Sequence, residues 1–176
     1  VLRNSVFAIV TAGLMAAGGA SASEFGNIFG SSEARQASSV ASAAALEGIA
    51  RLIRGIQVRE LRAGDGAEDF SAAANAFADA ADKMDKLLEG EFPDTPLSDE
   101  QVARVKSQLV PGTESYSLVE NSKSMKDLYR GFSMKTRQLA GQMDGLSKQT
   151  NAFSIIAPML VDYFRLANAV VIAQPA

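Results

Sequence analysis

Residues 151–174, NAFSIIAPMLVDYFRLANAVVIAQ, constrain the fold more than any other stretch of this chain. At 3.6 residues per turn, Phe153, Ile156, Leu160, Phe164, Ala167 and Val171 form one apolar line, and Ile155, Met159, Tyr163, Leu166 and Val170 form a second beside it. Polar residues are confined to a narrow stripe of Asn151, Ser154, Asp162 and Arg165, with Pro158 among them. A helix that is apolar around most of its circumference has to be buried against several neighbours. The pattern therefore predicts a hub helix, kinked at Pro158, surrounded by amphipathic partners.

The preceding chain supplies such partners. Residues 33–63 read as a helix capped by Ser31 or Ser32 and ended by Gly64-Asp65-Gly66, with Ala45, Ile49, Leu52, Ile53 and Ile56 as its core line and Gly48 and Gly55 beside it. Residues 67–89 place Phe70, Ala74, Phe77, Ala81, Met84 and Leu88 at alternating spacings of four and three, a heptad-like seam stopped by Gly90. The two prolines of 91–97 exclude regular structure there. Ser98-Asp99-Glu100-Gln101 is a capping-box pattern opening a short helix to about Val110, which Pro111-Gly112 breaks. Residues 113–121 follow no single period. A long helix over 122–148 carries Met125, Leu128, Phe132, Thr136, Leu139, Met143 and Leu146 on its seam, and 149–151 turn the chain into the last helix. No run alternates as a strand does. These elements predict an all-α four-helix bundle: two up-down hairpins joined by a longer crossover, 91–121, that carries a short helix.

The N-terminus reads as an address. Arg3 is a short basic region, Val6 to Ala17 an apolar one, and Ala20-Ser21-Ala22 an A-x-A cleavage site, so residues 1–22 fit a secretory signal peptide cut after Ala22. The apolar run is short and interrupted by glycine, whereas a span needs roughly 20 apolar residues. The expectation is a periplasmic or secreted protein with a Gly/Ser-rich arm over 23–32 and a helical domain over 33–176, not an integral membrane protein once cleaved.

Composition narrows the chemistry. Net charge is −3, and losing the single charge of Arg3 with the signal takes it to −4, which disfavours nucleic-acid backbones as partners. The chain has no Cys and no His, so thiolate chemistry, the commonest general base and the commonest metal ligand are all missing, and neither metal nor cofactor is expected. Met84, Met125, Met143 and Met159 lie at core positions, where methionine is a gap-filler. Ser124/Lys126 and Ser133/Lys135 sit two residues apart on a helix and do not converge as nucleophile and base. Glu114-Ser115, in the segment PGTESY, resembles the Glu-Ser at the catalytic acid of the lytic transglycosylases. The resemblance spans two or three residues and lacks the Gly-Leu-Met-Gln segment of that family. It implies a cell-wall glycan lyase or hydrolase with Glu114 as its acid, held in a dry pocket.

Two surfaces are candidates for recognition. Gly131, Gly141 and Gly145, with Met134 and Gln138 between them, lie away from the seam of their helix, although each interior glycine costs about 1 kcal/mol relative to alanine. They form a flat face for the crossover segment, for a protein partner or for a second copy of the chain. On the last helix, Asp162 and Arg165 at i, i+3 either pair on a solvated stripe or line a buried site, together with Ile155, Met159 and Leu166. The sequence points first to non-enzymatic protein–protein or self-association. A carrier for a small apolar or lipid-like ligand held in the bundle core is the alternative.

Overall fold

The computed structural model describes residues 32–173 apart from 91, 93, 144 and 150, with the backbone alone at 32–39, 42, 171 and 172. The signal peptide expected over 1–22 and the arm expected over 23–32 lie outside the described residues, save Ser32, which opens the first helix. The protein is all-α. The helices are α1 (Ser32–Glu60), α2 (Ala67–Glu89), α3 (Asp99–Lys106), α4 (Glu114–Asn121), α5 (Met125–Met143) and α6 (Ala152–Ile172), with a 3-10 turn at Leu146–Lys148.

α1 and α2 form an antiparallel hairpin drawn together by glycine. A Cβ added to Gly48 would lie 3.0 Å from the Phe77 ring, and one on Gly55 would lie 2.8 Å from the Phe70 ring, so each phenylalanine packs onto bare backbone. Gly66, which starts α2, has φ +71, and its Cβ would meet the Gly55 carbonyl oxygen at 2.6 Å, so both conformation and space demand glycine. This packing moves the buried face of α1. Ala41, Gly48, Ile49, Leu52 and Gly55 are buried, whereas Ala45, Ile53 and Ile56 of the expected core line are half-buried.

The whole predicted seam of α2 is buried. Its other side meets α5: Ser133 Oγ donates to the Ala81 carbonyl at 3.2 Å and to Asp85 at 2.5 Å, and Arg137 reaches Asp82 at 2.9 Å and Asp85 at 2.6 Å. α2 therefore lies between α1 and α5 and is the central helix, a correction to the expectation that the last helix is the hub. The cause is side-chain size. Ala73, Ala74, Ala80 and Ala81 let neighbouring backbones approach α2 closely, which the bulky side chains of α6 prevent.

α5 ends at Met143 rather than 148; Gly145 starts the 3-10 turn, whose Leu146 side chain is buried. Arg59 of α1 donates to the carbonyls of Leu146 and Gln149, tying this turn to the first hairpin. α6 continues through Pro158, which is exposed, and buries Ile156, Leu160, Tyr163, Leu166, Ala169 and Val170. Tyr163 shares a 3.0 Å hydrogen bond with Thr136, stacks on Phe132 at 5.1 Å and meets the Phe77 ring edge at 6.2 Å. Burial pushes its phenol up to about 12.

The crossover is an excursion pinned at its base. Leu97 N–H donates to the Lys123 carbonyl at 3.0 Å and Met125 N–H to the Thr95 carbonyl at 2.9 Å, so the chain leaves and rejoins the α2–α5 pair at one place. The Ser98/Gln101 capping box forms, but α3 stops at Lys106, short of Val110. Gln101 Nε2 donates to the Ala173 carbonyl at 2.8 Å, capping the end of α6. Residues 113–121, which follow no clear period, contain α4, with the Thr113 hydroxyl capping its start. Lys106 binds Glu120 at 2.7 Å and lies 4.7 Å over the Tyr116 ring, joining α3 to α4.

Candidate functional site

Gly131 and Gln138 of one patch picked out in the sequence and Asp162 of the other meet beneath α4, in the groove between α5 and α6. Lys135 Nζ lies 3.1 Å from Asp162 and Thr136 bonds Tyr163, which sets the antiparallel register of the two helices. Ile155, Met159, Asp162 and Leu166 fall at i, i+4, i+7 and i+11, one line along α6. On α5, Gly131 and Gln138 lie beside Lys135 toward α4, whereas Met134 and Gly141 lie about 100° and 120° around the helix from Lys135 and face solvent.

α4 occupies this groove. Ser115 Oγ donates to Asp162 at 2.6 Å, while Glu114 receives Lys135 at 2.7 Å and Gln138 Nε2 at 3.0 Å. Leu118 sits directly on Gly131, where any Cβ would overlap its side chain. The glycine face is thus taken up in part from within the chain. Gly131 is buried under α4, Gln138 is engaged by Glu114, Met134 is 47% exposed, and nothing lies within 4 Å of a Cβ on Gly141. Gly145 does not belong to this face, because α5 ends before it.

On the other wall, Leu166 is core, and Ile155 and Met159 are half-buried. Asp162 and Arg165 do not pair as their spacing suggested. Asp162 turns to Lys135 and Ser115 with 17% of its side chain exposed, and Arg165 faces solvent. The physical reason is a cation on the neighbouring helix that sits closer and in a drier place than Arg165 does. Sequence reasoning missed Ser115, Leu118 and Lys135 as groove residues. The signal that could have found Ser115 and Leu118 is Thr113 as an N-cap followed by Ser115, Leu118 and Val119 on one face, whereas no local pattern marks Lys135.

The electrostatics describe a clasp. Lys135, only 13% exposed, is shared by Glu114 and Asp162. Its hydrogen bond, followed by that of Gln138, holds the Glu114 carboxyl below the ordinary value of 4.5. A catalytic acid needs the opposite shift, and the side chain of Glu114 is 54% exposed. Ser115 is fully buried with its proton given to a carboxylate. Since the folded pKa of Glu114 is depressed, its contribution is complete above the unfolded value and is lost as pH falls through the folded one. At pH 7 the wild type should be more stable than Glu114→Gln by about 0.5 kcal/mol, a figure suited to a half-exposed pair, and the two should converge by about pH 3. Urea titrations of both proteins across that range check this; a gap that persists in acid would show that charge is not the source.

On the far side of α5 a second groove, open and of about 450 Å³, is lined by Asp85, Leu88, Glu89, Lys126 and Arg130. Four of those five side chains are charged, which suits neither an apolar ligand nor, without further carboxylates, a metal. Among the described residues no group of three or more acidic, His or Cys side chains is placed to hold a metal ion. α6 is long and apolar enough to cross a membrane by length and composition, and 33% of that span is buried within the fold. No protein-family model, curated protein or solved structure matches the chain.

Proposed function

We propose that this is an extracytoplasmic four-helix-bundle protein that works without catalysis, by presenting helix faces to another protein or to a second copy of itself. α1, α2, α5 and α6 are the staves, and the α3–α4 excursion lies along one side. The observation that carries the reading is the solvent-facing side of α5, where Met134 is 47% exposed and nothing lies within 4 Å of a Cβ on Gly141, one heptad along the same line. Flat glycine-bearing backbone and half-buried apolar side chains are what close helix docking requires. A lipid-like ligand in the core finds less support. Phe70, Phe77, Met125, Met143, Ile156 and Leu166 fill the interior, and the described groove away from α4 is open and charged.

Native mass spectrometry of the protein purified from a periplasmic fraction tests both halves of the proposal. The expected product begins at Ser23 and forms a dimer by about 100 µM, and Met134→Glu weakens that dimer about tenfold by placing a charge on the docking face. A protein that stays monomeric up to about 1 mM and binds no other chain would overturn the association reading. An N-terminus that still carries residues 1–22 would overturn the secretory one.

A further inference from the structure

α1 is apolar on two opposite sides. Its buried side, at Ala41, Gly48, Ile49, Leu52 and Gly55, belongs to the core and the α2 hairpin. On the other side Ala43, Leu46, Ala50, Ile53 and Gln57 recur at alternating spacings of three and four, the pattern of a coiled-coil seam. At about 100° per residue, Ala50 lies about 180° around the helix from the midline between Gly48 and Leu52. Ala43, Leu46, Ala50 and Gln57 are exposed, and Ile53 is half-buried. Val40, 44% exposed, and Leu61, 69% exposed, flank the two ends of the seam. The Leu61 N–H donates to the Gln57 carbonyl at 3.0 Å, which keeps Leu61 on the helical path. With Leu46 at 37%, these are three of the five large apolar side chains exposed among the described residues. A helix apolar on both sides is stable when both are covered.

The order of residues along the seam says what covers it. Counted outward from Ala50, Leu46 matches Ile53, Ala43 matches Gln57, and Val40 matches Leu61. Two copies of α1 set antiparallel about a two-fold axis beside Ala50 therefore bring apolar residue to apolar residue along the seam. Glu47 and Arg54, both exposed on one flank of the seam, are related by the same axis, so Glu47 of each copy faces Arg54 of the other. Ala43 and Ala50 let the two backbones approach closely. A parallel pair would set that flank against Ile49 and Ile56, where neither charge is answered.

We propose that the outer face of α1 is a docking site for α1 of a second copy, antiparallel about Ala50, with reciprocal Glu47–Arg54 bridges. The face is turned away from α2 and so is separate from the Met134 side of α5. Residues 40–61 make about 32 Å of helix. One helix face of that length buries less than the roughly 800 Å² per partner of a standard interface, so the association is weak, with a Kd of about 1 mM.

The inference rests on the reading that helix faces are the working surfaces, and its test uses the chain carrying Met134→Glu, which takes the α5 face out of the outcome. The sequence has no Cys, so introduced cysteines joined by a short bismaleimide report contacts one at a time. At about 500 µM, Ala50→Cys should cross-link to itself, and Ala43→Cys should cross-link to Gln57→Cys in a mixture of the two. Ala43→Cys alone should not link, since the same position of the second copy lies about 21 Å along the helices. Charge reversal supplies a second measurement. Added to the Ala50→Cys protein, Glu47→Lys or Arg54→Glu should each slow cross-linking about fivefold by setting like charges opposite one another. Mixing those two proteins, or combining both reversals in one chain, should restore the rate. All of these positions are exposed, and circular dichroism confirms that the fold is kept. Self-linking of Ala43→Cys would mean a parallel pair. No linking at all would mean that α1 faces do not meet, and linking that ignores the reversals, or is not rescued by mixing, would mean chance encounter. Each of these overturns the proposal. Wild-type dimers whose α1 cysteines stay unlinked would uphold the α5 face and sink this one, whereas α1 linking in a chain whose α5 face proves inert would leave this one standing alone.

Discussion

Replacing Phe77 with alanine is expected to cost about 4 kcal/mol, the largest effect of any single truncation considered, and to lower the melting temperature by about 12 °C for a chain of this size. Phe77 has no exposed surface, its ring rests on the backbone of Gly48, and its edge meets Tyr163, so one side chain joins α1, α2 and α6. The cavity left by its removal has little means of collapsing. The α1 side of the site is bare backbone that has no side chain to swing in, and Tyr163 is fixed by its bond to Thr136 and its stack on Phe132. Phe77→Leu keeps most of the volume and should cost about 1 kcal/mol. Chemical denaturation of the three proteins measures both changes, with an unaltered m-value as the sign that the unfolded state is the same. A loss below about 1 kcal/mol for Phe77→Ala would mean that the ring is not the pivot between the hairpin and α6.

The same residue shows which parts of the fold were legible in the sequence. The seam of α2 is recoverable because large apolar residues recur at heptad spacing between two glycines, Gly66 and Gly90, and all six seam positions are buried. The apolar period misplaces the buried face of α1 because glycine carries no apolar signal. Gly48 and Gly55 are where the aromatic rings land, and a periodic pattern of side chains passes over them. The same period makes α5 too long for a related reason. Leu146 continues the spacing and is buried, but it arrives there on a 3-10 turn that begins at Gly145.

The site was legible only in pieces. Each wall of the groove could be found on its own helix, from glycine placement on α5 and from the polar interruption on α6. Their meeting could not be found, since the contact that sets it joins Lys135 to Asp162, 27 positions away, and Lys135 by itself reads as one more solvated charge. α4 escaped because eight residues rich in serine and acid show too little periodicity to separate helix from loop. Its identity is decided by what it touches. That is also why Glu114-Ser115, which taken alone resembles a catalytic pair, proves to be the start of a helix whose carboxylate and hydroxyl are both given to the clasp.

The clasp can be weighed directly. Asp162→Ala is expected to cost about 2 kcal/mol, because it strands the fully buried Ser115 hydroxyl and leaves Lys135 with Glu114 as its remaining acid. That figure sits at the low end for a charged hydrogen-bond acceptor, since 17% of the Asp162 side chain is still exposed and water screens the loss in part. Ser115→Ala alone should cost about 1 kcal/mol, and the double variant should fall short of the sum by about 1 kcal/mol, because the second substitution removes a bond already broken. Arg165→Ala, three residues along on the same helix and facing solvent, should change stability by less than about 0.5 kcal/mol. Denaturant titrations give all four values. Hydrogen exchange then separates where the loss falls: in α4 for Asp162→Ala and Ser115→Ala, with α2 unaffected. Additive Asp162 and Ser115 effects, or an Arg165→Ala loss as large as that of Asp162→Ala, would mean that Asp162 serves its own helix rather than holding α4 across the groove.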